Sequence, residues 1–353
     1  MSYALKLLQK AVKIKFIKHN AEYVLKICLP GGVYLNLKRW VASKIYIVAR
    51  KKPLKIVEHK DVFDSFRIVP CSNQRKKADL VICCAFKGRH EILEQSIMES
   101  LHGSNEFNIE WFLCGSTEDD FHFIQQVAAK TGKVAGIIWK NNPLGEKWHY
   151  CVKTAGDLYD AELYGITGSD DILSSTLIRT IIFKHKNKLK LLNSEKDNTQ
   201  EMNLPAMYCA NQWVIVRLPS FGNVPSAVEC TLKPSKYSYP IGAGRFYSKE
   251  FFERVNSTLF DSTRDSCLDD YGYFKALELG YNIEPHKPDD GSLISVKGNW
   301  QQMNQIEDIL KFDKIEVKDL TFSQLDKFKK EVSPELLVYL FKSTESKEHY
   351  AWA

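Results

Sequence analysis

The sequence predicts an α/β protein built on a doubly wound, mostly parallel sheet, and three features predict it. Asp79–Phe86 is an almost unbroken apolar run, the pattern of a strand buried on both faces of a parallel sheet. From there to residue 185, strand and helix patterns alternate across short connections, as βαβ units do. Two of the strand patterns close on turn-forming clusters, Gly115-Ser116-Thr117 and Thr167-Gly168-Ser169-Asp170-Asp171.

Residues 1–77 read two ways at their start: Leu5, Leu8 and Val12 suit a helix, while Val12–Lys18 alternates apolar residues with Lys as a strand does. Pro30-Gly31-Gly32 breaks the segment. Leu37, Trp40, Val41, Ile45 and Val48 then recur at helical spacing with Lys38, Arg39 and Arg50 mostly off that stripe. Trp among bases on such a helix suits a membrane surface, and equally a helix packed on its own domain.

From residue 79 the pattern runs strand Asp79–Phe86, helix His90–Leu101, strand Ile109–Cys114, helix Phe121–Lys130, strand Val134–Trp139, helix Trp148–Leu158 and strand Ala161–Thr167. Right-handed crossovers put the carboxyl ends of these strands along one edge, where ligands bind. Beyond residue 185, Lys186–Asn203 reads as a polar, mobile excursion and Trp213–Val216 as a strand. Pro219–Pro240 reads as a long loop of the functional or disordered kind. Helices are expected over Phe251–Val255 and Asp270–Leu279, and amphipathic ones over Ile306–Phe312, Phe322–Phe328 and Pro334–Phe341.

The 353 residues suffice for a substantial core, and 44% hydrophobic with 26% charged residues is ordinary for a soluble globular chain. No run approaches 18 apolar residues, so no membrane span is expected. The amino terminus lacks a signal-peptide pattern, which argues against export. Nine scattered cysteines form no C-x-x-C pair and point to a reducing cytoplasm without a zinc site. The net charge of +6 conceals an asymmetry: residues 1–77 hold 18 Lys/Arg against four acids, the remainder 31 against 39. A basic arm on a mildly acidic body suggests an anionic partner; the plainer reading is a solvated basic face.

Three clusters carry the chemistry. Asp170 and Asp171 are adjacent carboxylates at a ligand-binding sheet edge, costly unless a cation neutralises them. Mg²⁺ or Mn²⁺ takes oxygen ligands and bridges to diphosphates. Capping of the helix that starts near Ser174 is the plainer explanation. Cys267-Leu268-Asp269-Asp270-Tyr271 puts a second acid pair ahead of a helix, suited to deprotonating a hydroxyl and equally to capping. In Tyr239-Pro240-Ile241-Gly242-Ala243-Gly244-Arg245-Phe246 the glycines allow close approach of a ligand and Arg245 can pair with phosphate.

In combination the order becomes specific: apolar strand, Gly-Ser-Thr turn, a Leu144-Gly145-x-Lys147 helix start, Ser169-Asp170-Asp171, Gly-x-Gly with aromatics, then Asp-Asp before a helix. Over about residues 79–285 this resembles the family 2 glycosyltransferases of the GT-A fold. The resemblance implies a metal-dependent transfer from a nucleotide-sugar, a UDP-sugar first among donors, with inversion at the anomeric carbon. It implies Asp170 and Asp171 as metal ligands, Asp269 or Asp270 as base, and Lys275 and Gly280 in the positions that follow. Phe86, Lys87, Arg89, Gly115, Ser116, Lys147 and Ser169 fall at the donor, and Gly242, Gly244, Arg245 and Trp213 at the acceptor. Gly168 stands where the family has the first acid of its metal motif, so His286 is a further metal ligand to consider. Leu113-Cys114 replace the acids that hold the nucleoside base. The division expected is a basic extension at 1–77, a GT-A domain at 78–300 with its donor half at 78–185 and acceptor half at 186–300, and a helical tail at 301–353.

Acceptor and location follow from the arm. A glycan or lipid-linked acceptor of the cell envelope, lipopolysaccharide or capsule, goes with a cytoplasmic enzyme held at the anionic inner face of a membrane. The alternative acceptor is nucleic acid, as in viral enzymes that glycosylate modified DNA bases, with Trp213, Phe221, Tyr237 and Tyr239 around a flipped base. A non-catalytic sugar-nucleotide-binding module and a nucleotidyltransferase are the remaining readings; Lys87-Gly88-Arg89 is only a faint echo of the latter's loop.

Overall fold

In the computed structural model the apolar run forms strand β1 (Lys76–Ala85), hydrogen-bonded on both sides. Leu80, Ile82, Cys84 and Phe86 enter one core, while Val81, Cys83 and Ala85 enter the core on the opposite face. That two-sided burial is why the run does not alternate with polar residues. The structure describes residues 75–102, 106–194, 204–218, 226–232, 242–265, 268, 270–286, 288–297, 315–319 and 322–341, all within one unit, Phe63–Ala353. Residues 1–74 of the basic arm with its Trp40 stripe, the helix expected over Ile306–Phe312, and Phe221, Tyr237 and Tyr239 lie outside the described residues, while the arm's last two residues, Lys76 and Lys77, open β1.

Around β1 stand β2 (Ile109–Gly115), β3 (Val134–Ile138) and β4 (Tyr159–Ile166), all parallel, in the order β4-β1-β2-β3. The helices between them are α1 (His90–Leu101), α2 (Glu118–Thr131) and α3 (Leu144–Leu158). Helix α2 starts three residues before its expected start because Thr117 and Asp120 close a capping box there. Helix α3 starts at Leu144, at the Leu-Gly-x-Lys motif, rather than at Trp148 where the helical period places it; the Asp265 carboxylate accepts from the Leu144 N–H at 2.8 Å, capping α3 from a distant loop.

The remaining strands are β5 (Asp171–Leu173), β6 (Met207–Cys209), β7 (Gln212–Arg217), β8 (Ser226–Leu232), β9 (Arg245–Ser248), β10 (Ile283–Pro285), β11 (Leu293–Lys297) and β12 (Ile315–Asp319). Strands β9, β6 and β10 extend the main sheet beyond β4, with β9 antiparallel to both neighbours and β10 parallel to β6. A second sheet runs β12-β8-β7-β11-β5. The α/β class and the predominantly parallel main sheet agree with the sequence; the second sheet is an addition to it.

Lys186–Asn203 departs from expectation, since through Ser194 it continues helix α4 (Ser175–Ser194). The helix is held at its start by Leu177, Ile178, Ile181 and Ile182 in the core, and along its polar side by ion pairs Lys184–Asp290 at 2.5 Å and Lys188–Glu284. Helices α5 (Lys249–Arg254) and α6 (Asp270–Glu278) follow, then α7 (Phe322–Glu331) and α8 (Pro334–Phe341). Phe328, Val332, Leu336 and Leu340 pack with Ile172, Val214, Val216, Ile294 and Val296 on the second sheet. A buried carboxylate ties these layers: Glu99 accepts from the Ser175 N–H at 3.0 Å and the Ser333 N–H at 2.9 Å, at the amino termini of α4 and α8. Among the described residues no helix is long and apolar enough to cross a membrane.

Candidate active site

The carboxyl ends of β1, β2 and β4 lie side by side, and the expected donor residues stand on the loops that leave them. Asp120, wholly buried, joins the first two loops. Its Oδ1 accepts from the Gly88 N–H at 2.9 Å and meets His90 Nε2 at 2.8 Å; its Oδ2 accepts from the Ser116 and Thr117 N–H groups at 2.7 and 3.0 Å. Burial pushes this carboxyl up, but the His90 contact and the backbone donors outweigh it and hold the group below its ordinary range.

Lys147 closes the same corner from the first turn of α3. Its ammonium, 0% exposed, donates to the Phe86 carbonyl, to Ser116 Oγ at 2.6 Å and to Asn141 Oδ1 at 3.4 Å. Burial lowers its pKa from the ordinary lysine value. Phe86 is buried, whereas Lys87 and Arg89 are exposed and Gly88 is partly so. Arg89 adopts a left-handed backbone, φ 58°, at the start of α1. Its Nη1 donates to Ser169 Oγ and to Asp170 Oδ1, each at 3.2 Å.

The acidic turn carries the chain from β4, in the main sheet, to β5, in the second. Ser174, not either aspartate, caps α4: its Oγ accepts from the Leu177 N–H at 3.2 Å. The two carboxylates are left for other partners. Asp170 Oδ2 accepts from Lys297 Nζ at 2.8 Å, so a cation engages each of its oxygens. Asp171 Oδ1 accepts from Ser295 Oγ at 2.5 Å. Burial, and then the Asp170 charge, raise the Asp171 pKa to about 6. A Cβ on Gly168 would collide with Asp171 Oδ2, so a side chain at that position is incompatible with Asp171 as it stands.

Asp269 lies outside the described residues. Asp270 opens α6 and is partly exposed. The loop ahead of α6 docks on the start of α3: the Gly145 N–H donates to the Arg264 carbonyl at 2.8 Å, and a Cβ on Gly145 would strike the Asp261 carbonyl. This loop therefore reaches the same carboxyl edge as the acidic turn. Lys275 pairs with Glu278 at 3.3 Å, and Gly280 follows the end of α6. Gly244 donates its N–H to the Ile166 carbonyl at 3.0 Å beside the acidic turn, Gly242 is partly exposed, and Arg245 is buried in β9.

Two expected residues stand apart from this edge cluster. Trp213, expected at the acceptor, sits on β7 and is 7% exposed in the core that the second sheet shares with β1, β2 and α4, so its ring serves packing. His286, considered as a metal ligand, follows β10, with β6 and β9 between it and β4. Its neighbours are the Phe246 ring, 5.7 Å away between centroids, and the charges of Asp290 and Lys184; burial lowers its pKa to about 4. Leu113 and Cys114 are fully buried in β2. Among the described residues no group of three or more His, Cys, Asp and Glu is placed to hold a metal ion. With both Asp170 oxygens on cations and Asp171 on Ser295, the acidic turn as arranged does not fit a divalent cation.

Sequence reasoning missed Asp120, Ser295 and Lys297. Asp120 had a legible signal, since Thr117-Glu118-Asp119-Asp120 has the spacing of a capping box. Lys297 lies 127 residues from Asp170, and nothing local marks it.

No protein-family model matches the chain, and no curated protein matches it. Among solved structures, TarS 1–349 from S. aureus in complex with UDP-GlcNAc is similar over 65% of this chain at 13% identity, TM-score 0.40. The chain spans 60% of that fragment's length and 36% of a longer TarS chain, the latter at 12% identity and TM-score 0.41. The inositol-1-phosphate CTP transferase of T. maritima is similar over 78% of this chain and all of its own, at 12% identity and TM-score 0.35. Likenesses of this extent assign no activity.

Proposed function

We propose that the chain is an inverting glycosyltransferase that moves a sugar from a nucleotide-sugar to an acceptor hydroxyl. The observation that carries this reading is the convergence at one sheet edge: Lys147 joins the loops after β1 and β2, and Arg89 joins the first of these to the acidic turn after β4. A diphosphate at a sheet's carboxyl edge needs fixed cations and backbone donors of this kind. In the reaction, the acceptor oxygen attacks the anomeric carbon while its proton passes to the carboxylate of Asp269 or Asp270. The bond from that carbon to the diphosphate oxygen breaks, and its electron pair leaves with the nucleoside diphosphate. The Arg89 guanidinium, which among the described residues engages Ser169 and Asp170 through Nη1, offers its remaining donors to the developing charge.

The 18 bases of residues 1–77 support an anionic setting for the acceptor, an envelope glycan made at a membrane's inner face. Retention on anionic liposomes rather than duplex DNA, compared at two salt concentrations, is the expected result; the reverse would make DNA the acceptor.

The test of the activity is a panel of UDP-, GDP-, dTDP- and CMP-sugars scored for release of the nucleotide. One donor is expected to be consumed. Lys147→Met should weaken binding of that donor by about tenfold or more; the lost desolvation cost of the buried charge partly offsets the donor that the Phe86 carbonyl and Ser116 Oγ lose, so the thermal midpoint should fall only modestly. Failure of every donor both to bind and to turn over would discard the reading.

A further inference from the structure

From the pairing of Asp170 we infer that Lys297, together with Arg89, takes the charge position that a divalent cation would hold at the acidic turn, so that nucleotide binding here needs no metal ion. The inference rests on the glycosyltransferase reading and concerns how that site handles charge. An acid at a diphosphate site must be neutralised before an anion can approach, and a metal ion is one way to do it. Here the neutralising groups belong to the chain. Lys297 Nζ lies 2.8 Å from Asp170 Oδ2 and is 6% exposed, whereas Arg89 Nη1 lies 3.2 Å from Asp170 Oδ1 and is 34% exposed.

The backbone fixes this arrangement independently of the side chains. The Val296 N–H donates to the Asp170 carbonyl at 2.7 Å, and Ser295 stands opposite Asp171 across the β5–β11 ladder. Strand β11 is thereby registered against the acidic turn, which delivers Ser295 to Asp171 and Lys297 to Asp170. The two cations differ in role. Lys297, nearly buried, is a positioning residue that satisfies Asp170 from within. Arg89 is open to solvent and can meet a phosphate with donors that Asp170 leaves unused. A Cβ on Gly168 would meet Asp171 Oδ2, so an acid added at that position would first have to displace the Asp171 carboxylate.

The experiment is calorimetric titration of UDP, GDP, dTDP and CMP into the full chain in EDTA and again in Mn²⁺, with wild type, Lys297→Arg and Lys297→Met. For the nucleotide that binds, wild-type Kd should agree between the two conditions within about threefold. Lys297→Arg should behave as wild type. Lys297→Met leaves Asp170 with the Arg89 pair but without its buried cation, so affinity should fall about tenfold in EDTA and recover in Mn²⁺ as the ion enters the vacated position. A wild-type affinity that strengthens tenfold or more on adding Mn²⁺ overturns the inference and leaves the glycosyltransferase reading standing. Binding of no nucleotide in either condition overturns both. The wild-type comparison decides the matter even where Lys297→Met fails to fold.

Discussion

The turns after β2 and after β4 stand on the same sheet edge with only β1 between them, and both carry buried or partly buried acids whose surroundings are opposite. After β2, Asp120 receives three backbone N–H groups and the His90 ring, and its carboxyl is held low. After β4, the side-chain partners of Asp170 and Asp171 are a lysine, an arginine and a hydroxyl, and the Asp171 carboxyl is pushed up. Backbone donors are part of the fold and do not leave; side-chain cations can be shared with a ligand. The first turn is therefore a joint that shapes the edge, and the second is the part of the edge able to respond to what binds.

The sharpest way to break that contrast is Asp120→Ala. Three partly buried N–H groups lose their acceptor, and the midpoint of urea denaturation should correspond to a loss of about 2–3 kcal/mol at pH 7. The carboxyl is held below its unfolded value, so its contribution is present above that value and lost as pH falls through the folded one. The gap to wild type should accordingly close below about pH 4. A loss under about 1 kcal/mol would mean that the loops hold their places without this hub.

Asp171→Asn should act in the opposite direction. A carboxyl raised to about 6 favours the folded chain in its protonated form and costs stability as pH rises through 6. The amide avoids that cost, so the variant should be more stable than wild type by about 1–2 kcal/mol at pH 8, with the advantage fading between pH 6 and 4. Thermal melts across that range check it; an Asn variant weaker than wild type at pH 8 would erase the distinction between the turns.

Ser295→Ala gives the smallest effect and refines the second turn. Loss of the hydroxyl should cost about 1 kcal/mol. It should also raise the Asp171 pKa further, because that hydrogen bond favours the ionised form. Carbon-detected NMR titration of the aspartate carboxyls reads the shift, and an unchanged value would remove Ser295 from the electrostatics of the turn.

The contrast also explains what could be read in advance. Strands β1 to β4 were legible because burial on two faces leaves long apolar runs, and the acidic turn was legible because its residues are consecutive. Strand β5 has only three residues and β11 only five, too short for periodicity to separate from noise. Lys297 and Ser295 reach the turn through strand pairing across more than 120 residues, and a polar residue in a short strand announces no partner. The later turns of helix α4 are polar and read as loop by composition, because Lys184 and Lys188 hold them by reaching acids beyond residue 280.

Arg89 bends at the corner between β1 and α1 with a geometry that suits glycine and costs a residue with a Cβ about 1 kcal/mol or more. Folding by itself would favour glycine there, since it would turn the same corner without penalty. What glycine cannot bring is a guanidinium held against Ser169 and Asp170. The tension at this corner thus marks a place where the chain gives up a little robustness to keep a positive group in view of the solvent.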